Sequence, residues 1–240
     1  MLARPLPEPF DSELHLFEPV WGGARALAFI GPAATPGSGD VRLVAEDGTE
    51  GPAPIDLAGL AARVDARSAV LDGEIVVVDD TGRLDHEAMR ARFAGKPGRP
   101  MSYLAFDLLD LDGRSLLRLA LDKRRALLRQ VLRPGDEAVA VPAIASEGRA
   151  LFEAVSGQGL YGIRARQRSS PYLSGIRSRL WRTIAVGGAS RAEGVEGARG
   201  TRLDEIGDRL DATDSSRTEH VLALIRRLPL DFGGEDERSA

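Results

Sequence analysis

"YLAFDLLDLDGRSLLRLALDKRRALL", Tyr103 to Leu128, runs from a strand through a turn into a helix. Apolar and aromatic residues fill Tyr103–Leu111, which reads as a strand, and Asp112-Gly113 supplies the turn that ends it. From Asp122 onward, "DKRRALLRQVL" reads as a helix with Asp122 as its N-cap and Lys123 facing solvent. Asp107, Asp110 and Asp112 resemble a carboxylate cluster on paper. The text "LDLDG" is better explained as strand plus Asp-Gly turn.

The surrounding chain mixes both element types. Upstream, "LHLFEPVWGGARALAFI" (14–30) reads as two strands around a Gly-Gly turn, and "DVRLVAEDG" (40–48) as another strand ending in a turn. "IDLAGLAARV" (55–64) has helical spacing of apolar residues. "AVLDGEIVVVDD" (69–80) is β-branched and strand-like, and "LDHEAMRARF" (84–93) is a helix capped by Asp85. Downstream, "AVAVPAIA" (138–145) reads as a strand, "RALFEAVSGQG" (149–159) as a helix with a Gly stop, and "GIRARQR" and "LWRTIAV" as strands. Without strict alternation of strand and helix, the class is α+β rather than a doubly wound parallel sheet. Five glycines between Gly187 and Gly200 mark a linker at 187–200. Short helices follow at 201–240, so the expected domain is 1–186.

Composition removes several chemistries. There is no cysteine, hence no disulfide, thiolate nucleophile or Cys-based zinc site. His15, His86 and His220 fall in separate segments, without metal-ligand spacing, and read as structural or surface residues. No apolar run approaches the ~20 residues that span a bilayer, and the N-terminus lacks the apolar core of a signal peptide. The expectation is a cytoplasmic protein with no membrane contact. Net charge is −4, yet the stretch Arg164–Arg182 carries six arginines and no acidic residue. Lys96 and Lys123 are the two lysines of the chain.

Four segments, "EPVWGGAR" (18–25), "VLDGEIVVVDDTGR" (70–83), the stretch 103–128 and "GLYGIRARQRSSPYLSGIRSRLWRTI" (159–184), resemble in order and wording the adenylation domain of ATP-dependent DNA ligases. The likeness is greatest to the ligase domain of bacterial end-joining ligases and covers about residues 1 to 186. It implies a DNA-ligase/mRNA-capping-type nucleotidyltransferase fold, ATP-grasp-like, with twisted, mostly antiparallel sheets flanked by helices and a nucleotide cleft. The short tail implies no OB-fold domain. It also implies a lysine that attacks the α-phosphate of ATP, a divalent metal (Mg²⁺) held by carboxylates, and cations around the phosphates. The partners so implied are nucleotide, DNA and a DNA-repair protein.

The resemblance is incomplete where chemistry is concerned. The nucleophile motif, Glu-Pro-Lys-x-Asp-Gly-x-Arg, here reads Glu18-Pro19-Val20-Trp21-Gly22-Gly23-Ala24-Arg25. Val20 stands at the lysine position and has no nucleophilic atom. Glu46 stands where the next motif has arginine, and a carboxylate there repels a triphosphate. Asp72-Gly73-Glu74 is intact, with Glu74 matching the residue beside ribose and metal, and Phe106 matches the aromatic that stacks on adenine. Tyr161 replaces a metal-directing glutamate, Arg166 keeps a positive charge in place of lysine, and Thr183 and Ala185 replace two phosphate-facing lysines. Arg182 lies beside the first of these.

The resemblance thus assigns Glu18, Arg25, Glu74, Phe106 and Arg166 to the nucleotide, and Glu74 to the metal. Arg164, Arg168, Arg177, Arg179 and Arg182 are assigned to nucleic acid. From the residues alone, Glu74 reads equally as a strand glutamate paired with an arginine, Phe106 as core, and the arginine run as a solvated face. Three functions are therefore in play: a pseudoenzyme without a catalytic nucleophile, an active ligase using an unexpected lysine or a partner, and an interaction module with a collapsed cleft.

Overall fold

The computed structural model describes residues 1–80 and 82–187. The expected linker beyond Gly187 and the helical tail at 201–240, including His220, lie outside the described residues. The elements are β1 (Leu2–Pro5), β2 (Ser12–Val20), β3 (Ala24–Ile30), β4 (Val41–Ala45), β5 (Glu50–Pro52), α1 (Leu60–Arg63), β6 (Ala69–Val76) and α2 (His86–Phe93). They continue with β7 (Ser102–Leu111), β8 (Arg114–Ser115), α3 (Leu121–Val131), β9 (Ala138–Ala140), β10 (Ile144–Ser146), α4 (Gly148–Gly157), β11 (Gly162–Gln167) and β12 (Arg177–Ala185). Among the described residues no helix is long and apolar enough to cross a membrane.

Two sheets form the α+β architecture expected from the mixed pattern. One has five strands in the order β1-β12-β11-β2-β10; the other has seven, β5-β4-β3-β6-β7-β8 with β9 alongside β7. Most pairings are antiparallel, β1 with β12 and β9 with β7 being parallel. One apolar core lies under the seven-stranded sheet and includes Leu57, Leu60, Phe93 and Leu128. A second joins the two sheets through Phe17, Trp21, Val76, Leu104, Phe106 and Ile163, and takes in Leu151 and Val155 of α4. A third gathers Met1, Ala3, Leu109, Tyr172 and Trp181 at one end.

The strands flanking Trp21-Gly22-Gly23 are both present, but they do not form the expected hairpin. β2 pairs with β11, from Val20 opposite Gly162 to His15 opposite Gln167, whereas β3 pairs with β6. The segment 21–23 therefore carries the chain from one sheet to the other. Gly22 has φ of +82° and packs under the Tyr161 ring, while a Cβ on Gly23 would lie 2.3 Å from the Ile75 carbonyl oxygen. This close approach, not a two-residue turn, requires the glycines.

The expected strand 138–145 is likewise divided between the sheets. β9 runs beside β7, and after Val141 and Pro142 β10 pairs with β2. Proline has no N–H to continue a ladder. Both crossings border the same interior space.

Two helices also depart from expectation. The periodic text at 55–64 yields a 3-10 turn and the single-turn α1. In α3 the N-cap is Ala120, and Asp122 makes no cap hydrogen bond; its carboxylate instead accepts from Arg168 Nε at 2.8 Å. Asp85 does cap α2, accepting from the Ala88 N–H at 2.8 Å. Asp110 and Asp112 serve the turn as read. Asp110 accepts from the Gly113 N–H, and Asp112 from the N–H groups of Arg67 and Ser68.

Candidate functional site

The space between the sheets is lined by Glu18 and Val20 of β2, Trp21 of the first crossing, Glu74 of β6, Leu104 and Phe106 of β7, Val141 of the second crossing, and Arg164 and Arg166 of β11. Alternation along a strand places Arg164 and Arg166 on one face. Glu18 lies opposite Arg164, and Arg166 lies opposite Trp181 in β12. The sequence-assigned residues Glu18, Glu74, Phe106 and Arg166 thus meet at one place. Val20 is there too, buried, at 3% exposure.

Arg166 dominates the interior. It is fully buried, with its guanidinium 4.2 Å from the Phe106 ring centroid and 4.3 Å from that of Trp181. Its Nη2 lies 3.2 Å from a Glu18 carboxylate oxygen. Burial pulls its pKa down to about 10, with Glu18 acting in the opposite sense, and the group remains charged at neutral pH. Glu18 also binds Arg125 Nη1, and Arg125 donates further to the carbonyls of Phe106 and Val141. Glu18 is therefore neutralised by two internal arginines.

Arg25 is held by the retained Asp72. Its Nε and Nη2 reach the two Asp72 oxygens at 3.1 and 2.8 Å, and Nη2 also donates to the Met1 carbonyl. The Tyr172 hydroxyl donates to Asp72 Oδ2 at 2.8 Å. Burial opposes ionisation of Asp72, but the Arg25 charge and hydrogen bonds outweigh it and hold the carboxyl below its ordinary value. The "SPY" text acts in the same network. Ser170 Oγ accepts from Trp181 Nε1 at 3.2 Å, and the Ser170 carbonyl accepts from Arg124 at 2.9 Å.

Arg124 and Arg125 carried no role in the sequence reading, which placed Lys123 of this helix toward solvent and assigned no face to the two arginines. Leu121, Arg124, Arg125 and Leu128 are the buried residues of α3. Their spacing i, i+3, i+4, i+7 is that of a helix's inner face, so the signal was present. Two arginines occupy inner positions because Asp107 and Glu18 wait opposite them.

Glu74 is buried, and the backbone N–H groups of Gly23 and Trp21 reach its carboxylate, while its Oε1 has no hydrogen-bond partner. Burial pushes its pKa up; Arg164 and the two amides offset this only in part. A raised folded-state carboxyl binds its proton more tightly than the unfolded chain does. Its contribution to stability therefore falls as pH rises through the window between the two pKa values, and stays lower above it. Glu74→Gln is expected to raise the urea midpoint at neutral pH, with the gain disappearing as pH falls toward about 4. Midpoints measured across that range check it; an unchanged or lowered neutral midpoint contradicts it.

The residues do not fit the ATP and Mg²⁺ expected from the sequence. Val20 offers no nucleophile, and both lysines are exposed, Lys96 after α2 and Lys123 in the first turn of α3. Phe106, the aromatic residue expected to stack on adenine, instead carries Arg166 over its ring at 4.2 Å. About 10 Å³ of free space remains, room for about one water molecule. Tyr161, in place of the metal-directing glutamate, has its hydroxyl on His86 Nε2. Among the described residues, no group of three or more His, Asp or Glu side chains is placed to hold a metal ion.

The arginine run does not form one surface. Arg164 and Arg166 turn inward. Arg168 pairs with Asp122, and Arg177 donates to the Ala3 carbonyl at 2.7 Å. Arg179 and Arg182 border a groove of about 450 Å³ with Leu6, Phe10, His15, Gln167 and Leu180. Alternation with Trp181 and Thr183 puts Arg182 on the face of its sheet away from the cleft.

Residues 55–184 match the family model described as ATP dependent DNA ligase domain. Over 187 residues the chain is 32% identical to the multifunctional non-homologous end joining protein LigD of Mycobacterium bovis, covering 74% of this chain and 23% of that protein. It is 33% identical over 132 residues to a probable DNA ligase of Saccharopolyspora erythraea, covering 54% of this chain and 26% of that protein. The chain thus spans about a quarter of the length of these relatives. Among solved structures, the ligase domain of M. tuberculosis LigD aligns with a TM-score of 0.63 at 29% identity, over 77% of this chain and 58% of that one. A mycobacterial DNA ligase D complexed with ATP and MES aligns with a TM-score of 0.61 at 27% identity, over 77% and 59%. The two-sheet fold is the fold of these ligase domains.

Proposed function

We propose that this chain, which belongs to the ATP-dependent DNA ligase family, is a ligase-fold binding module that does not adenylylate itself and does not seal nicks. The observation that carries this reading is Val20 at the nucleophile position, buried in a cleft that neither lysine lines. Arginine is no substitute, because its guanidinium stays protonated and delocalised at neutral pH. The retained motif residues support the same view. Glu18, Arg25 and Asp72 bind one another or internal arginines, so they now hold the frame.

The remaining role is recognition, with DNA in a repair setting as the partner class. Relatives named as non-homologous end joining proteins support that assignment, as do the exposed Arg177 and Arg179 on β12. Nick sealing tests the proposal. The full chain is incubated with a nicked duplex, ATP and Mg²⁺, and in parallel with a nick already carrying 5′-AMP, which bypasses the lysine. Neither substrate is expected to yield sealed product, and sealing of the first would overturn the proposal. Fluorescence anisotropy on the same duplex is expected to show binding that weakens with salt. Unchanged anisotropy at low salt would remove DNA as the partner.

A further inference from the structure

The cleft contains a receptor for a planar cation, built from ring faces and a carboxylate more than from hydrogen bonds, since Arg166 Nε and Nη2 have no hydrogen-bond partner. Phe106 and Trp181 present ring faces to one guanidinium at 4.2 and 4.3 Å. Ring faces are the negative poles of their quadrupoles and attract cations, most strongly when water is excluded. The Glu18 carboxylate approaches the edge of the same group at 3.2 Å, and the Phe106 carbonyl accepts from Nη1 at 3.5 Å. Two aromatic faces, a carboxylate and a carbonyl surround a side chain with no exposure to solvent. Guanidinium suits this slot as ammonium does not, because it is flat, delocalised and weakly hydrated.

We infer that the Phe106–Trp181–Glu18 slot is a guanidinium site filled in cis by Arg166, and that this occupancy keeps adenine nucleotides out of the cleft. A purine and a guanidinium stack on the same ring face, and the remaining space admits neither beside the other. The inference deepens the proposed loss of adenylylation but has a separate cause. Val20 removes the reactive atom, while Arg166 removes the seat for the base. Restoring a lysine by Val20→Lys alone therefore leaves the protein unable to bind ATP. Removing the Arg166 side chain vacates the slot without stranding Glu18, which keeps its ion pair with Arg125.

The protein carries its own reporter. Of its two tryptophans, both buried, Trp21 lines the cleft and Trp181 stacks on Arg166, so intrinsic emission reads this site. The full chain and its Arg166→Ala variant are titrated with methylguanidinium chloride, with methylammonium chloride as the point-charge control, and with ATP. The variant is expected to show saturable emission changes and a raised Tm with methylguanidinium, binding it about tenfold more tightly than methylammonium. It is also expected to bind ATP saturably, whereas wild type responds to none of the three at low millimolar concentration. Saturable ATP binding by wild type, or no methylguanidinium response in the folded variant, would overturn the inference. Should Arg166→Ala not fold, Arg166→Lys retains the charge beside Glu18 without the planar stack, and an ATP response in that variant alone supports the inference. An absent response in that variant counts against it. Intact mass separates the two ideas. Wild type that binds ATP reversibly without a covalent adduct sinks the inference and leaves the proposed function standing. A covalent adduct on wild type sinks both.

Discussion

Asp107→Asn is expected to destabilise the chain by about 3–5 kcal/mol, the range for an uncompensated buried charge. Asp107 and Arg124 are both fully buried, and Nε and Nη2 meet the two carboxylate oxygens at 2.8 Å each. Asparagine keeps the shape but not the charge. The guanidinium left behind cannot shed its proton. The reverse change, Arg124→Met, is expected to cost less, about 1–3 kcal/mol, because a carboxyl can neutralise itself. Burial already pushes the Asp107 carboxyl up, against the pull of Arg124, and removing Arg124 pushes it further. The cost of Arg124→Met should therefore grow as pH rises, since the folded chain then holds a proton that the unfolded chain has released. Urea unfolding of both variants at about pH 5 and about pH 8 checks the asymmetry. If Arg124→Met is the more damaging at both pH values, the pairing does not govern stability in the way described.

Trp181→Ala is expected to cost about 3–5 kcal/mol, the range for emptying a large aromatic site in a core. Its indole is 1% exposed and lies edge-on to Tyr172 at 5.7 Å and 77°. It donates to Ser170 Oγ and forms one wall of the Arg166 slot. Its loss removes packing, a hydrogen bond and half of the aromatic clamp together. Trp181→Phe restores a ring face but not the indole donor, so about 1–2 kcal/mol is expected. Unfolding followed by circular dichroism measures both, since the change itself alters tryptophan emission. A phenylalanine variant as weak as the alanine variant would place the stability in the hydrogen bond rather than the aromatic wall.

The resemblance assigned Glu18, Glu74, Phe106 and Arg166 to one nucleotide, and in the structure these four line one space; the contacts among them were not legible. Strand text does not reveal that Arg25 meets Asp72 across a sheet, or that Glu18 meets Arg125 on a distant helix, because periodicity gives a face and not a partner. The inner position of Arg124 and Arg125 was legible in their spacing and was masked by their charge. The Gly-Gly stretch between two strands matched a hairpin pattern. What separates a hairpin from a crossing is the pairing of β2 with β11 and β3 with β6, which is long-range information. The division of 138–145 has the same origin, although Pro142 announced the break.

These contacts give one physical account of the degenerate motifs. Glu18, Arg25 and Asp72 find charged partners inside the protein, while Val20, Tyr161, Thr183 and Ala185 stand at positions that the resemblance assigns to a nucleotide. The most direct measurement of that account is the intact mass of the full chain after incubation with ATP and Mg²⁺. The account predicts a mass unchanged from that of the untreated protein. Appearance of a covalently attached adenylyl group, on any residue, would contradict it.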